Sequence, residues 1–371
     1  MRRFSAYLFK DKVFVVAMIL AILSMFFIPP SLAYVNYINW KVLIIMMTIM
    51  IAVGGLYETH FFDYIATKLV MRFKSIKWIA LVLILTTFFL AMFLTNDAVL
   101  LTLIPFTVFI TIHTGTKKYA VMIIILQTIA ANMGSALTPM GDPQNIYLYA
   151  FYDIPFHTFL SMTFPISLIG FILIVCTSLL TIPNQSCDLN IVPPNVQISK
   201  IFLYLLLLIN ALLTVLRLVH PWMTLAITLI MTFIWFRHLF KKVDYHLLLT
   251  FLSFFIFTGN LSQMDILDGL FQSVLQSETS VYFSGLLLSQ FISNVPASVL
   301  LSTFTDLSYA KALLQGVNVG AMGTIIGSLA SLISFKYMIE HYKSDVKRYL
   351  LYYSLISLLF ITIITSVLFL L

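Results

Sequence analysis

From Ile79 to Ile112 the chain is apolar except at one point, where Thr95, Asn96 and Asp97 stand together in MFLTNDAVLL. In hydrocarbon every backbone N–H and C=O must find a partner inside the protein, which leaves helices and closed barrels as the spanning structures. A carboxylate at that depth is costly and marks a functional position by default. The whole chain has the same character: of 371 residues, 61% are hydrophobic and 9% charged, against about 25% charged in a soluble domain. It reads as an all-α polytopic membrane protein.

Uninterrupted apolar segments of spanning length lie near 13–28, 40–56, 156–182, 199–219, 221–236, 245–260 and 346–371. The stretches 77–112 and 281–305 are interrupted by TND and SNVP, and 119–150 and 311–338 by Gly, Pro and polar residues. Two more, 58–74 and 262–278, are amphipathic and are expected to lie along the interface. The start MRRFSAYLFKDK resembles the charged end of a signal peptide. It is followed by no clear small-residue cleavage site, so the segment is read as a retained first helix.

Charge placement tests this layout. With the N-terminus cytoplasmic and TND and SNVP returning to the side they left, 18 of the 21 Lys and Arg face the cytoplasm. Only Lys41, Arg217 and Lys311 fall outside, as the positive-inside rule expects. The C-terminus is then external, in the cell membrane. The net charge of +7 is a topology signal, and a nucleic-acid partner has nothing left to explain.

The interruptions repeat. FLTNDAVLLTLIPF (93–106) lies over FISNVPASVLLSTF (291–304), with Asn96 on Asn294. ANMGSALTPMGDPQN (131–145) lies over VNVGAMGTIIGSLAS (317–331), pairing Asn132 with Asn318, Gly134 with Gly320, Thr138 with Thr324 and Gly141 with Gly327. Between the two copies the expected number of crossings is odd, so the second copy is inverted. The expected organisation is a first inverted repeat over 1–182, a linker and connecting helix over 183–220, and a second repeat over 221–371. Two half-hairpins entering from opposite faces meet near the midplane. There, helix N-termini suit an anion and unwound carbonyls suit a cation. Paired broken helices of this kind are the secondary-transporter plan.

TND, GSALTPMGDPQN, SNVP and GAMGTIIGS resemble the ion transporter superfamily. That group contains divalent-anion/sodium symporters, citrate–metal symporters, arsenite permeases and D-type sodium/proton antiporters. The resemblance covers nearly the whole chain and looks most like the uncharacterised bacterial anion permeases with a TPxG(N/D)PQN pattern. It implies a fixed scaffold, often dimeric, and a transport set carrying both hairpins and both broken helices that moves like an elevator. It also implies a homodimer in the lipid bilayer, a small anionic substrate and sodium ions, with no other cofactor. By resemblance the first tip is Thr95, Asn96 and Asp97, with Gly141 in its break. The second is Ser293, Asn294 and Val295, with Gly327 in its break. Ser289 matches a sodium-holding hydroxyl whose counterpart in the first half is Ala91. The dicarboxylate symporters carry Thr where this chain has Asp97 and Val295. An Asp beside an anion repels it unless protonated or paired with a cation, so Asp97 fits proton or sodium coupling.

Substrate contact is expected from Asn96, Asp97, Asn145, Asn294, Val295 and Ser331. Cation contact is expected from Thr95, Asn96, Asp97, Gly141, Asp142, Ser289, Ser293, Asn294 and Gly327. Simpler roles stay open. Asp97 fits helix capping. Asp142, before Pro143, fits a turn or cap as well as an ion ligand. Gln144 and Asn145 fit either substrate reading or satisfaction of the break's own backbone. The seven His residues are read as interfacial or solvated, and Cys176 and Cys187 as incidental thiols. No HExxH, GxSxG or Walker pattern and no clustered nucleophile and base are present, so the chain is read as a non-enzyme without a fused ATPase. The leading expectation is a secondary active transporter of a small anion, coupled to sodium or protons. The alternative is a sodium/proton antiporter using Asp97, and a passive channel comes third.

Overall fold

Helix length sorts the chain into spanning and half-spanning pieces. The computed structural model describes residues 12–187, 189, 191–264, 269, 271 and 273–370. Among the described residues, five helices are, by length and composition, long and apolar enough to cross a membrane: Trp40–Glu58, Asn96–His113, Phe156–Thr181, Ile198–Val215 and Lys343–Leu370. In chain order the helices are α1 (Lys12–Ser24), α2 (Tyr34–Tyr37), α3 (Trp40–Glu58), α4 (Phe61–Val70), α5 (Ile76–Ala91), α6 (Asn96–His113), α7 (Ala120–Ser135), α8 (Pro143–Phe151) and α9 (Phe156–Thr181). There follow α10 (Ile198–Val215), α11 (Pro221–Trp235), α12 (Tyr245–Leu261), α13 (Glu278–Ile292), α14 (Asn294–Ser302), α15 (Ala310–Gly320), α16 (Leu329–His341) and α17 (Val346–Leu370). The described residues form no named strand, as expected of an all-α membrane protein.

The four interrupted stretches break where polar and turn residues stand. α5 stops at Ala91 and α6 begins at Asn96 after an extended Thr95 (φ −64°, ψ 138°). α13 gives way to α14 at Ser293 alone, held at φ 75°, ψ 156°. α7 and α8 are separated by 136–142, and Pro143, with no N–H to lose, opens α8. α15 and α16 are separated by 321–328, and the Ser328 side chain caps the Ser331 N–H. α8 and α14 have 9 residues each, or about 13 Å of rise, under half of a ~30 Å hydrocarbon layer.

The same bonds recur in the two halves. The Asn96 N–H donates to the Gly141 carbonyl at 3.1 Å, and the Asn294 N–H to the Gly327 carbonyl at 2.9 Å. Thr138 Oγ1 donates to the Met92 carbonyl. Its counterpart Thr324 donates to the Gln290 carbonyl at 3.1 Å. Glycine lets the hairpins approach the broken helices at matched places. A Cβ on Gly134 would stand 2.1 Å from the Phe88 carbonyl oxygen, and one on Gly320 would stand 2.8 Å from that of Leu286.

Hairpins and broken helices pack together: α5 on α7, α13 on α15, α14 on α8, and α16 on α6 and α7. α9 and α17 close over this group. Outside it, α1 pairs with α12, and α10 and α11 with α3. Basic residues gather at separate pockets. Lys117, Lys118, Lys343 and Arg348 line one, and Lys41 and Arg217 line another. The first amphipathic segment forms α4, with Phe62, Ala66 and Val70 buried. The second, 262–278, falls partly outside the described residues, as do Arg2, Arg3 and Lys10.

Two stability changes should follow, measured by thermal unfolding in detergent. Gly134→Ala forces a methyl into backbone and should cost about 3 kcal/mol or more, with Gly320→Ala costing less. Ser293 occupies a region that is nearly Gly-only, at a cost of order 1–3 kcal/mol. Ser293→Gly should raise stability by about 1 kcal/mol, whereas Ser293→Ala should not.

Candidate functional site

A cavity of about 520 Å³ lies between the two tips. The N-terminal ends of four helices open onto it: Asp97 from α6, Asp142 and Pro143 from α8, Asn294, Val295 and Pro296 from α14, and Ser328 and Leu329 from α16. Ser293 lines it from the second tip. Each of those N-termini presents the positive end of its helix dipole.

The first tip is locked. Asn96 is 1% exposed. Its Nδ2 donates to Asp142 Oδ2 at 2.8 Å and to Asn132 Oδ1 at 3.2 Å. Its Oδ1 accepts the Asp97 N–H at 2.8 Å, as a cap would. Ser135 Oγ adds a second donor to Asp142 Oδ2 at 3.3 Å. The Asp97 Oδ1, by contrast, is buried without a hydrogen-bond partner.

The second tip is open. Asn294 is also 1% exposed. Its Oδ1 accepts from Ser293 Oγ at 3.3 Å, but its Nδ2 has no partner. The repeat explains why. The position of Asp142 is taken by Ser328, whose side chain turns to Ser331 rather than to the tip. The position of Asp97 is taken by Val295. Both carboxylates belong to the first half.

Asn145 and Ser331 do not line the cavity. Both are fully buried behind it. Asn145 Nδ2 donates to the Ser135 and Thr138 carbonyls at 3.0 and 3.4 Å, satisfying the break of α7. Ser331 Oγ stands 3.5 Å from the Ala321 carbonyl, the same bond in the other half. The halves also cross. Asn132 Nδ2 reaches Ser331 Oγ at 3.4 Å, and Asn318 Nδ2 reaches Asn145 Oδ1 at 2.8 Å. Gln144 Nε2 donates to Asn318 Oδ1 at 3.3 Å, while its Oε1 stays unpartnered. Buried polar groups cost heavily unless paired, so this reciprocal set clamps the two broken helices to each other.

Thr95 ends the first loop without lining the cavity. Gly141 and Gly327 hold the tips through their carbonyls. Ser289 is fully buried and donates to the Gly285 carbonyl at 2.7 Å, away from the cavity. Sequence reasoning named neither Asn132, Ser135, Asn318 nor Ser328 as site residues. The repeat alignment that pairs Asn132 with Asn318 is the signal that finds two of them. One of the histidines expected at a span end also borders the cavity. His246 lines the cavity beside Asp244, with 13% of its side chain exposed and Nδ1 3.8 Å from Asp244 Oδ1. α12 begins at Tyr245, so a residue at a span end still faces inward across the cavity.

Comparisons with known proteins place the sequence among transporters. A family model described as a citrate transporter matches residues 8–310. An uncharacterised transporter of Methanocaldococcus jannaschii is 31% identical over 337 residues, covering 89% of this chain and 90% of its own length. The inner membrane protein YbiR of Escherichia coli is 29% identical over 334 residues, 88% and 87% of the two chains. A putative transporter arsB of Dictyostelium discoideum is 26% identical over 141 residues, 38% of this chain and 24% of that one. With a family match over most of its length and several apolar helices, the chain belongs to the citrate transporter family of the ion transporter superfamily and is an integral membrane protein.

Proposed function

We propose that the chain is a secondary active transporter that moves a small anion through the cavity between its two tips, coupled to sodium or protons. The observation that carries this reading is a cavity onto which four helix N-termini open, with the Asp97 Oδ1 and the Asn294 Nδ2 both unpartnered in its wall. An unpartnered buried donor among four positive helix ends suits an anion. An unpartnered carboxylate oxygen suits a cation or a proton. Two like charges about 4 Å apart repel by about 4 kcal/mol at an effective dielectric constant near 20. An anion then binds beside Asp97 only once a cation has joined that carboxylate, and this order is what couples the two fluxes.

In this reading the hairpins and broken helices, clamped through Asn132, Asn145, Asn318 and Ser331, travel as one body. α1, α3, α10, α11 and α12 form the stationary frame of a homodimer, as in an elevator. The repeats are inverted, the N-terminus is cytoplasmic and the C-terminus external. Clustering of Lys117, Lys118, Lys343 and Arg348 supports that orientation, as does the placement of Arg217 beside Asp153 at 2.9 Å. Val13 and Asp244 then mark a mouth facing the cytoplasm. A second reading, sodium/proton antiport through Asp97, is favoured by one observation: among the described residues the lining holds carboxylates but no Lys or Arg.

Purified protein in liposomes should take up an anion when a sodium or proton gradient is imposed. Sodium-driven proton movement with no anion present would instead select antiport. Asp97→Asn should retain anion binding but lose dependence on the gradient, and unchanged coupled uptake would reduce Asp97 to a helix cap. Asn294→Ala should weaken anion binding about tenfold with little change in melting temperature. Asn96→Ala should also lower stability by about 1–3 kcal/mol or more, because it strips a donor from buried Asp142. Equal melting temperatures for the two variants would contradict the asymmetry of the tips.

A further inference from the structure

We infer that the transported anion is amphiphilic: a singly charged head group on an apolar body, rather than a compact di- or tricarboxylate. This rests on the carrier reading above and names its substrate class.

Polar side chains line the cavity at the two tips and at Asp244 and His246; between them stands Thr250, whose hydroxyl donates to the His246 carbonyl at 2.7 Å. The head-group end holds Asp97, Asp142, Ser293, Asn294 and Ser328. Beyond it the walls are Val16 and Leu20 of α1, Phe254 and Phe257 of α12, Leu288 of α13 and Leu332 of α16. The apolar wall begins at the tip itself, where Val295 occupies the position that Asp97 holds in the first half. A volume of about 520 Å³ falls within the range of small-molecule pockets, roughly 300–1,000 Å³. It holds more than a head group, and an aromatic ring or short alkyl chain matches its phenylalanine and leucine sides.

Charge count points the same way. One negative charge is served by the Asn294 amide and the helix N-termini. A second or third has no Lys or Arg among the described lining residues to meet it. It would fall against the apolar walls, or against Asp142 or Asp244. His246 stands at the Asp244 side with its Nδ1 3.8 Å from that carboxylate, so its ring is already faced by an acidic group. A buried charge left without a partner is costly, so a polycarboxylate is rejected by the same walls that hold an apolar body.

Two measurements test this. Melting of the detergent-purified protein, with and without sodium and at two pH values, is followed against phenylacetate, benzenesulfonate, succinate and citrate. Uptake of labelled benzenesulfonate into proteoliposomes is then driven by a sodium or proton gradient. Benzenesulfonate keeps one charge throughout and does not leak across lipid as a neutral acid. The expected result is stabilisation by the two monoanions at concentrations at least about tenfold lower than by succinate or citrate, with gradient-driven uptake of benzenesulfonate. Phe257→Ala should raise the half-saturating concentration about tenfold, and Phe257→Leu should restore most of the affinity at an unchanged melting temperature. Gradient-driven uptake of succinate or citrate that neither monoanion inhibits would overturn the inference and leave the carrier reading standing. Sodium-driven proton flux with no uptake or binding of any anion would overturn the carrier reading itself.

Discussion

Two backbone hydrogen bonds hold this structure open at its centre: Asn96 N–H to the Gly141 carbonyl and Asn294 N–H to the Gly327 carbonyl. A helix broken at membrane depth leaves donors and acceptors without water to satisfy them. Each hairpin tip solves this for the broken helix beside it, and each break solves it for the tip. Side chains complete the pairing, with Asn145 on the Ser135 and Thr138 carbonyls and Thr324 on the Gln290 carbonyl. The close approach this requires explains Gly134 and Gly320, which have no room for a Cβ. Once the breaks are satisfied from behind, their front faces are free to line a cavity.

The two halves use one frame for different chemistry. In the first, Asn96 spends its amide on Asp142 and Asn132, and Asp97 is left with an unpartnered oxygen. In the second, Ser328 and Val295 replace both carboxylates, and the Asn294 amide is left with an unpartnered N–H. An acceptor on one wall and a donor on the other is what co-binding of a cation and an anion requires. A symmetric pair of tips would offer the same group twice. The proposed coupling is a consequence of this divergence between copies.

Much of the frame is legible in the sequence, because hydropathy places the apolar helices and the TND and SNVP interruptions set the breaks. The layout differs in two respects: α1, α11 and α12, at 13, 15 and 17 residues, are shorter than the spans expected near 13–28, 221–236 and 245–260, and α6, at 18 residues, is long enough to cross where a re-entrant piece is expected. All four breaks fall where Gly, Pro and polar residues predicted them. The cavity residues Asp97, Asp142, Asn294 and Val295 were legible too, since each stands at a break. What escaped reading depends on depth and direction. Asn145 and Ser331 stand beside the breaks but point away from the cavity, and no periodicity in a short half-helix says which way a side chain faces. Ser289 lies one helical turn below the second tip and satisfies a carbonyl of its own helix. His246 stands at a span end, and packing of α12 against α1 and α14 turns that end toward the cavity. The apolar walls were invisible, because Phe and Leu fill lipid-facing surfaces and cavity linings alike.

The central claim is that the cavity between the tips is carried from one side of the membrane to the other. The most direct test is a single cysteine, Val295→Cys, in a background with Cys176 and Cys187 replaced by Ser, probed with a membrane-impermeant maleimide from each side in turn. The carrier account expects labelling from both sides, with a transported anion and its coupling ion slowing both. Labelling from one side only, under every ion gradient, would contradict it.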